Sequence, residues 1–206
     1  MLKITIFIGA IALISVASFG HDFYKYKHSS DLLEGLITID SQLHSEFFDT
    51  NETSYPWYII EKHDGTFENT LSQEITKQDQ VPIEHTSNCI STHQGEHKMD
   101  FCHAKLGTDK LQLEIYGGLP SFASSLMIEI WGSKFSCFFR AVYPAPVKDL
   151  QWNILLKELT LKKKNFKKGE RLYAKISVKF EESSTYQGKN IKRKYTIKGY
   201  LKPIIN

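Results

Sequence analysis

The chain has few of the residues and motifs that most readily reveal a function. It contains 6 prolines among 206 residues and no low-complexity stretch, so a long disordered tail is not expected. It also has no G-x-S-x-G elbow, phosphate-binding loop, Rossmann glycine pattern or C-x-x-C pair, which are local signatures of several large enzyme classes. The sequence therefore indicates no catalytic residue and favours a non-enzymatic role. A hydrolase whose site only the fold reveals stays open as an alternative.

The chain has one long apolar run, and it lies at the N-terminus. Lys3 precedes the 16 residues of Ile4–Phe19, and small residues stand near the end of the run, where a signal peptidase cuts. A membrane-spanning helix needs roughly 20 apolar residues. We therefore predict a signal peptide over residues 1–20, with an uncleaved membrane anchor as the alternative. Residues 21–206 then form a single β-rich exported domain, periplasmic or secreted.

The second half of the chain alternates apolar and polar residues in short segments. Hydrophobic residues make up 41% of the chain and aromatic residues 13%, and aromatic side chains suit strands. The segments with a strand pattern are residues 110–116, 126–131, 134–142, 152–161, 171–180 and 191–201. Turn residues separate them without an intervening helix pattern, which predicts a mainly β fold, an antiparallel β-sandwich or partly closed barrel. Asp31–Phe48 has apolar residues at helical spacing, so we also predict one N-terminal helix. Gly35 and the β-branched residues 37–39 leave a strand over residues 35–40 as the alternative.

The densest group of reactive side chains lies between residues 85 and 103, where four of the eight histidines occur. His93 and His97 fit the H-x-x-E-H pattern, and imidazole and thiolate ligands suit zinc and copper. An alternative function is therefore a zinc- or copper-binding protein with ligands from His93, His97, Cys102 and His103. Otherwise the segment is a polar loop that leads into a strand, and no cofactor is expected.

Three cysteines in an exported chain leave one without a partner. Cys89 and Cys102 lie on either side of the histidine-rich loop, and we predict a disulfide between them. It would close a loop of about 14 residues and contribute about 3 kcal/mol in the chain-entropy estimate. A metal site that uses Cys102 excludes this bond. Cys137 lies among aromatic residues and is predicted to be a buried free thiol.

The formal net charge of +3 hides a segregation of charge along the chain. Residues 148–206 contain 16 Lys and Arg against 5 Asp and Glu, whereas residues 21–147 contain 9 against 18. Alternation in the last two predicted strands places several lysines on the face that points away from the core, with a tyrosine at each border. We predict a partner-binding face formed by Tyr173, Lys175, Lys179, Lys192, Lys194, Lys198 and Tyr200.

A basic face on an exported protein would meet a partner protein or an anionic envelope component rather than nucleic acid. Contact with a membrane interior is expected only through residues 4–19, if they are not removed. The leading interpretation is therefore an exported, non-enzymatic binding protein that uses its C-terminal sheet face. The competing interpretation is that these lysines keep a sheet face soluble and protect an exposed edge from pairing.

Overall fold

The computed structural model describes residues 34–70, 74–117, 124–141, 143 and 147–206. The predicted signal peptide or anchor, residues 1–20, lies outside these ranges. Within them the chain forms strands and one short 3-10 helix, Glu46–Asp49, and no α-helix. A helix with the length and hydropathy to cross a membrane is not found in the same ranges.

The strands differ in length, and the long ones come last. The first is β1 (Gly35–Ile39), and four short strands follow it: β2 (Thr53–Ser54), β3 (Ile59–Glu61), β4 (Phe67–Asn69) and β5 (Ile83–Glu84). The next five are β6 (Cys89–Ser91), β7 (His97–Met99), β8 (Phe101–Leu106), β9 (Leu111–Gly117) and β10 (Ser124–Trp131). The last four are β11 (Lys134–Ala141), β12 (Lys148–Leu161), β13 (Ala174–Tyr186) and β14 (Lys189–Leu201).

Ten of these strands form one sheet that curves into a nearly closed barrel. Its order is β7-β6-β14-β13-β12-β1-β11-β10-β9-β8. The two outermost strands, β7 and β8, follow each other in sequence with only Asp100 between them. The backbone N–H groups of Thr86 and Ser87 both donate to the Asp100 carbonyl, at 3.0 Å each. The chain itself therefore draws the two edges of the sheet together.

Strict alternation along the strands creates one apolar interior. In β10 every second residue from Ser124 to Ile130 is buried, and β9 follows the same rule from Leu111 to Ile115. The inward side chains form one continuous hydrophobic cluster that extends from Cys89 to Ile205. The predicted mainly β fold is thus confirmed, and its sheet is barrel-like.

The helix predicted over Asp31–Phe48 is wrong in its described part. Gly35–Ile39 forms β1, which pairs antiparallel with β11 and parallel with β12. The β-branched side chains of this segment fit a pleated sheet better than a helix. The ring of Phe135 packs directly against Gly35, and a Cβ atom at position 35 would collide with it. Tertiary pairing between two strands therefore overrides the apolar spacing.

Residues 46–85, which we call the insert, lie between β1 and β6. They carry two small sheets, β2 with β5 and β3 with β4. The β3–β4 hairpin turns at Asp64 and Gly65, and Gly65 has a φ of 78°, a conformation that glycine adopts without strain. Two of its residues contact the barrel: Phe48 packs against Tyr173 and Tyr200, and Glu84 bonds to Arg171.

The two barrel ends differ in chemistry. At one end, the β8–β9 loop (residues 107–110) and the β10–β11 turn (residues 132–133) surround a cavity. At the other end, the β6–β7 turn (residues 92–96) brings His93 over the interior. We call them the cavity end and the histidine end.

Candidate functional site

The predicted basic face exists as one outer surface of β13 and β14. In the strand register Lys175 lies opposite Tyr200, and Lys179 lies opposite Thr196. Inward and outward residues alternate along both strands, and all five predicted lysines are exposed. The structure therefore brings the predicted residues onto one face. We call the five lysines the lysine face: Lys175, Lys179, Lys192, Lys194 and Lys198.

Some of these residues are already engaged within the protein. Lys192 pairs with Glu181 at 2.9 Å, and the ammonium of Lys175 lies 5.9 Å from the centre of the Tyr200 ring. Tyr173 and Tyr200 both pack edge-on against Phe48, with ring centres 4.9 and 5.6 Å apart. The two tyrosines thus anchor the 3-10 helix of the insert.

Three lysines of the face stay available. Lys179, Lys194 and Lys198 are exposed, and none of them forms an ion pair with another residue in the described ranges. Leu156 of β12 lies opposite Lys179 and is 51% exposed. An apolar side chain therefore borders the free lysines on the same outer surface.

A second basic segment follows β12 directly. Residues 162–168, which we call the lysine loop, contain five lysines in seven residues. Lys163 pairs with Glu170 at 2.6 Å, and Lys162 lies 5.5 Å from the centre of the Tyr173 ring. Tyr173 borders the lysine face, so the basic surface continues from β13 and β14 toward the cavity end.

The four predicted metal ligands do not converge. In β8 the side chains alternate, so Cys102 points inward and His103 points outward. The His103 ring meets the Tyr116 hydroxyl at 2.8 Å, and His97 contacts Ser124 Oγ at 3.2 Å. No group of three or more His, Cys, Asp or Glu side chains suited to a metal ion occurs in the described ranges.

The predicted disulfide is not formed in the structure, where all three cysteines are free and buried. Cys89 and Cys102 both turn into the hydrophobic core, on strands β6 and β8. Burial raises the pKa of the Cys89 thiol to about 12 and that of Cys102 well above its usual value. Cys137 behaves in the same way, with a pKa raised by burial to about 12. These thiols serve as small apolar core groups.

His93 belongs to a buried polar cluster that the sequence patterns did not reveal. Its Nε2 atom lies 3.1 Å from a carboxylate oxygen of Glu182 and 2.9 Å from the Tyr143 hydroxyl. The Tyr143 hydroxyl also donates a short hydrogen bond to the same Glu182 oxygen. The side chains of His93 and Glu182 are 0% and 4% exposed. The three groups thus form a compact hydrogen-bonded cluster at the histidine end.

The electrostatics of this cluster favour an ionised Glu182. Burial pushes the pKa of Glu182 upward, but hydrogen bonds from His93 and Tyr143 outweigh that effect, and the pKa lies below its usual value. Burial, together with the neighbouring carboxylate, raises the pKa of Tyr143. Tyr143 has one hydroxyl hydrogen and gives it to Glu182, so the Nε2 atom of His93 carries the proton that it shares with both oxygens.

The histidine cluster joins two separate elements of the fold. His93 lies in the β6–β7 turn and Glu182 in β13, so their contact ties the turn to the barrel wall. Aromatic rings surround the imidazole; Tyr195 and Phe139 have ring centres 4.8 and 5.0 Å away. The sequence does contain a signal for this cluster. Every second residue of β13 up to Phe180 points into the barrel, and Glu182 occupies the next inward position. A charged residue in that phase needs a buried partner.

The cavity end contains a recess of about 550 Å³. Its floor consists of the inward residues Leu111, Ile130 and Leu161, which are at most 6% exposed. Its rim includes Ile39, which is 47% exposed, and the basic side chain of Lys164. The recess is therefore apolar inside and charged at its edge, and the sequence patterns did not indicate it.

A comparison of the chain with protein-family models, with curated proteins and with solved structures finds no match.

Proposed function

We propose that this protein is an exported, non-enzymatic binding protein that docks on an anionic surface of the cell envelope. The observation that carries the proposal is the continuity of exposed lysines over the lysine face and the lysine loop. Three lysines of the face have no ion-pair partner within the described ranges. The export of the chain rests on the apolar run Ile4–Phe19 at its N-terminus.

Anionic lipid headgroups fit this surface better than an acidic protein does. Each lysine close to an anionic bilayer contributes about 1 kcal/mol, without a need for fixed geometry. The lysine side chains stand on a broad sheet face, and the exposed Leu155 and Leu156 lie beside them. A protein partner of high affinity would instead require a buried apolar centre with matched polar groups. The site offers a wide charged area, which suits a lipid surface.

Vesicle sedimentation tests this proposal. The mature protein, residues 21–206, is expected to sediment with vesicles that contain phosphatidylglycerol and to stay in solution with phosphatidylcholine vesicles. Added salt should release it, because the Debye length falls from about 10 Å at 0.1 M to about 3 Å at 1 M. Binding to neither vesicle type would reject the lipid surface, and capture of an acidic envelope protein would then favour the protein partner.

A further inference from the structure

The geometry points to a ligand site in the recess at the cavity end, for an amphiphile with one apolar chain and an anionic head. The recess shares the lysine loop with the proposed docking surface, but binding of a free amphiphile there does not depend on membrane docking. It rests on the size of the recess, on its apolar floor and on the charges at its rim.

The recess has the dimensions and lining of a small-molecule site. Its volume of about 550 Å³ falls within the roughly 300–1,000 Å³ typical of such sites. Behind it the barrel interior is filled by side chains of the continuous core. A ligand would therefore occupy the mouth of the barrel and rest on Leu111, Ile130 and Leu161.

Three apolar side chains on the walls of the recess are partly open to solvent. Ile39 is 47% exposed at the rim, and Trp131 and Phe166 are half-buried beside it. Such side chains expose apolar area that a bound chain would cover, and removal of that area from water favours binding. The floor and walls thus match an alkyl chain.

The charges at the rim select an anionic head. Lys110 is neutralised by Glu129 at 2.6 Å, whereas Lys164 lines the recess and forms no ion pair with a residue in the described ranges. Asp109 is the opposing charge on the rim. Lys162, Lys167 and Lys168 of the lysine loop add positive charge next to the lining residues 164–166, whereas Lys163 beside Phe166 is paired with Glu170. The balance is positive, which suits a carboxylate, sulfate or phosphate head.

Titration of the mature protein with decanoate tests the site, with the fluorescence of Trp131 as the signal. We expect saturable binding of one decanoate per chain and loss of the signal in Trp131→Phe. Octanoate should bind about tenfold more weakly, since each buried methylene adds to affinity. Absence of saturation at ligand concentrations up to about 1 mM, the weak end of specific binding, would overturn the inference.

Matched variants on β1 locate the ligand. Ile39→Asp places a charge in the recess and should weaken decanoate binding by about tenfold or more, because an unpaired charge is unfavourable in an apolar site. Leu36→Asp is the control, because Leu36 is 75% exposed on the same strand and does not line the recess. Equal effects of the two variants would contradict the site. If Ile39→Asp fails to fold, Ile39→Ser replaces it and should still weaken decanoate more than Leu36→Ser does, because it removes apolar area from the recess.

A second pair of variants tests the head group. Lys164→Glu should weaken decanoate about fivefold, the upper range for an exposed ion pair, and leave the neutral decanol unaffected. Lys168→Glu, in the same loop but outside the recess lining, should weaken decanoate less than Lys164→Glu does and leave decanol unchanged. An equal loss for decanoate and decanol in Lys164→Glu would overturn the anionic head. Failure of vesicle docking leaves these results unchanged, so the two proposals are separable.

Discussion

His93 and Glu182 meet inside the barrel, where the Nε2 atom of His93 lies 3.1 Å from a carboxylate oxygen of Glu182. Both side chains are almost fully shielded from water, so solvent can neither screen the charge of Glu182 nor replace the hydrogen bond from His93. This contact fastens the β6–β7 turn across the histidine end of the barrel.

The buried contact predicts a specific pattern of stability changes. His93→Leu should destabilise the fold by about 3–5 kcal/mol, because it leaves a buried carboxylate without its partner. The double variant His93→Leu/Glu182→Leu should be more stable than His93→Leu alone, since an apolar pair removes the isolated charge. Urea unfolding measures all three proteins. A double variant that is less stable than His93→Leu would contradict this account.

The lowered pKa of Glu182 also predicts how stability depends on pH. Glu182 contributes stability that is complete above its usual pKa of 4.5 and is lost as the pH falls through its lower value in the folded protein. The wild type should therefore lose stability more steeply than Glu182→Gln as the pH falls from about 5 to about 3. Melting temperatures over that range provide the comparison. Parallel curves for the two proteins would show that Glu182 is not ionised in the fold.

Glu84 links the insert to the barrel, so its substitution should affect the insert most strongly. Its carboxylate makes two bonds to the Arg171 guanidinium, at 2.7 and 3.1 Å, and lies 3.7 Å from the buried Lys202 ammonium. Glu84→Gln should loosen the insert and accelerate its cleavage by protease, and it should also lower global stability, because it leaves the buried Lys202 ammonium without its carboxylate. Glu68→Gln is the control, because Glu68 pairs with Lys62 inside the insert. Equal cleavage rates would contradict this role of Glu84.

The burial of all three cysteines predicts how they react with a thiol reagent. Burial raises the pKa of the Cys89 and Cys137 thiols to about 12, so thiolate is scarce at neutral pH. A thiol reagent should therefore label none of the three cysteines in the folded protein and all three in denaturant without reductant. Labelling of one cysteine in denaturant would instead demonstrate the disulfide expected from the spacing of Cys89 and Cys102.

Strand alternation predicted most of the barrel wall because it follows directly from burial of one face. The pattern over residues 110–116 corresponds to β9, and the pattern over residues 191–201 lies within β14. The helix was preferred to the strand alternative for residues 35–40 because the neighbours of β1, which are β11 and β12, are distant in sequence and do not show in a local pattern. Apolar spacing alone therefore suggested a helix for a segment that is held by long-range pairing.

Local sequence patterns also reveal only those candidate sites whose residues lie close together in the sequence. The lysine face could be predicted because all of its residues share one alternating phase in two strands. The recess could not, because Ile39, Trp131 and Phe166 come from three separate segments. The histidine cluster was also not predicted, although the inward phase of Glu182 after Phe180 is a signal in the sequence that points to a buried partner.

The central claim, that the lysine face docks on an anionic surface, is tested most directly by a charge-reversal pair. Lys179→Glu/Lys198→Glu changes two free lysines that lie opposite Thr196 and Ser177, with no carboxylate across the strand pair. Lys77→Glu/Lys105→Glu makes the same change in net charge at exposed positions outside the face.

Sedimentation with phosphatidylglycerol vesicles at low salt should show at least tenfold weaker binding for Lys179→Glu/Lys198→Glu, since each lysine contributes about 1 kcal/mol at such a surface. The Lys77→Glu/Lys105→Glu control should bind within about twofold of the wild type, as expected for charges far from the contact. Both should keep the wild-type melting temperature. Equal losses in the two variants, or no loss in either, would contradict docking through the lysine face.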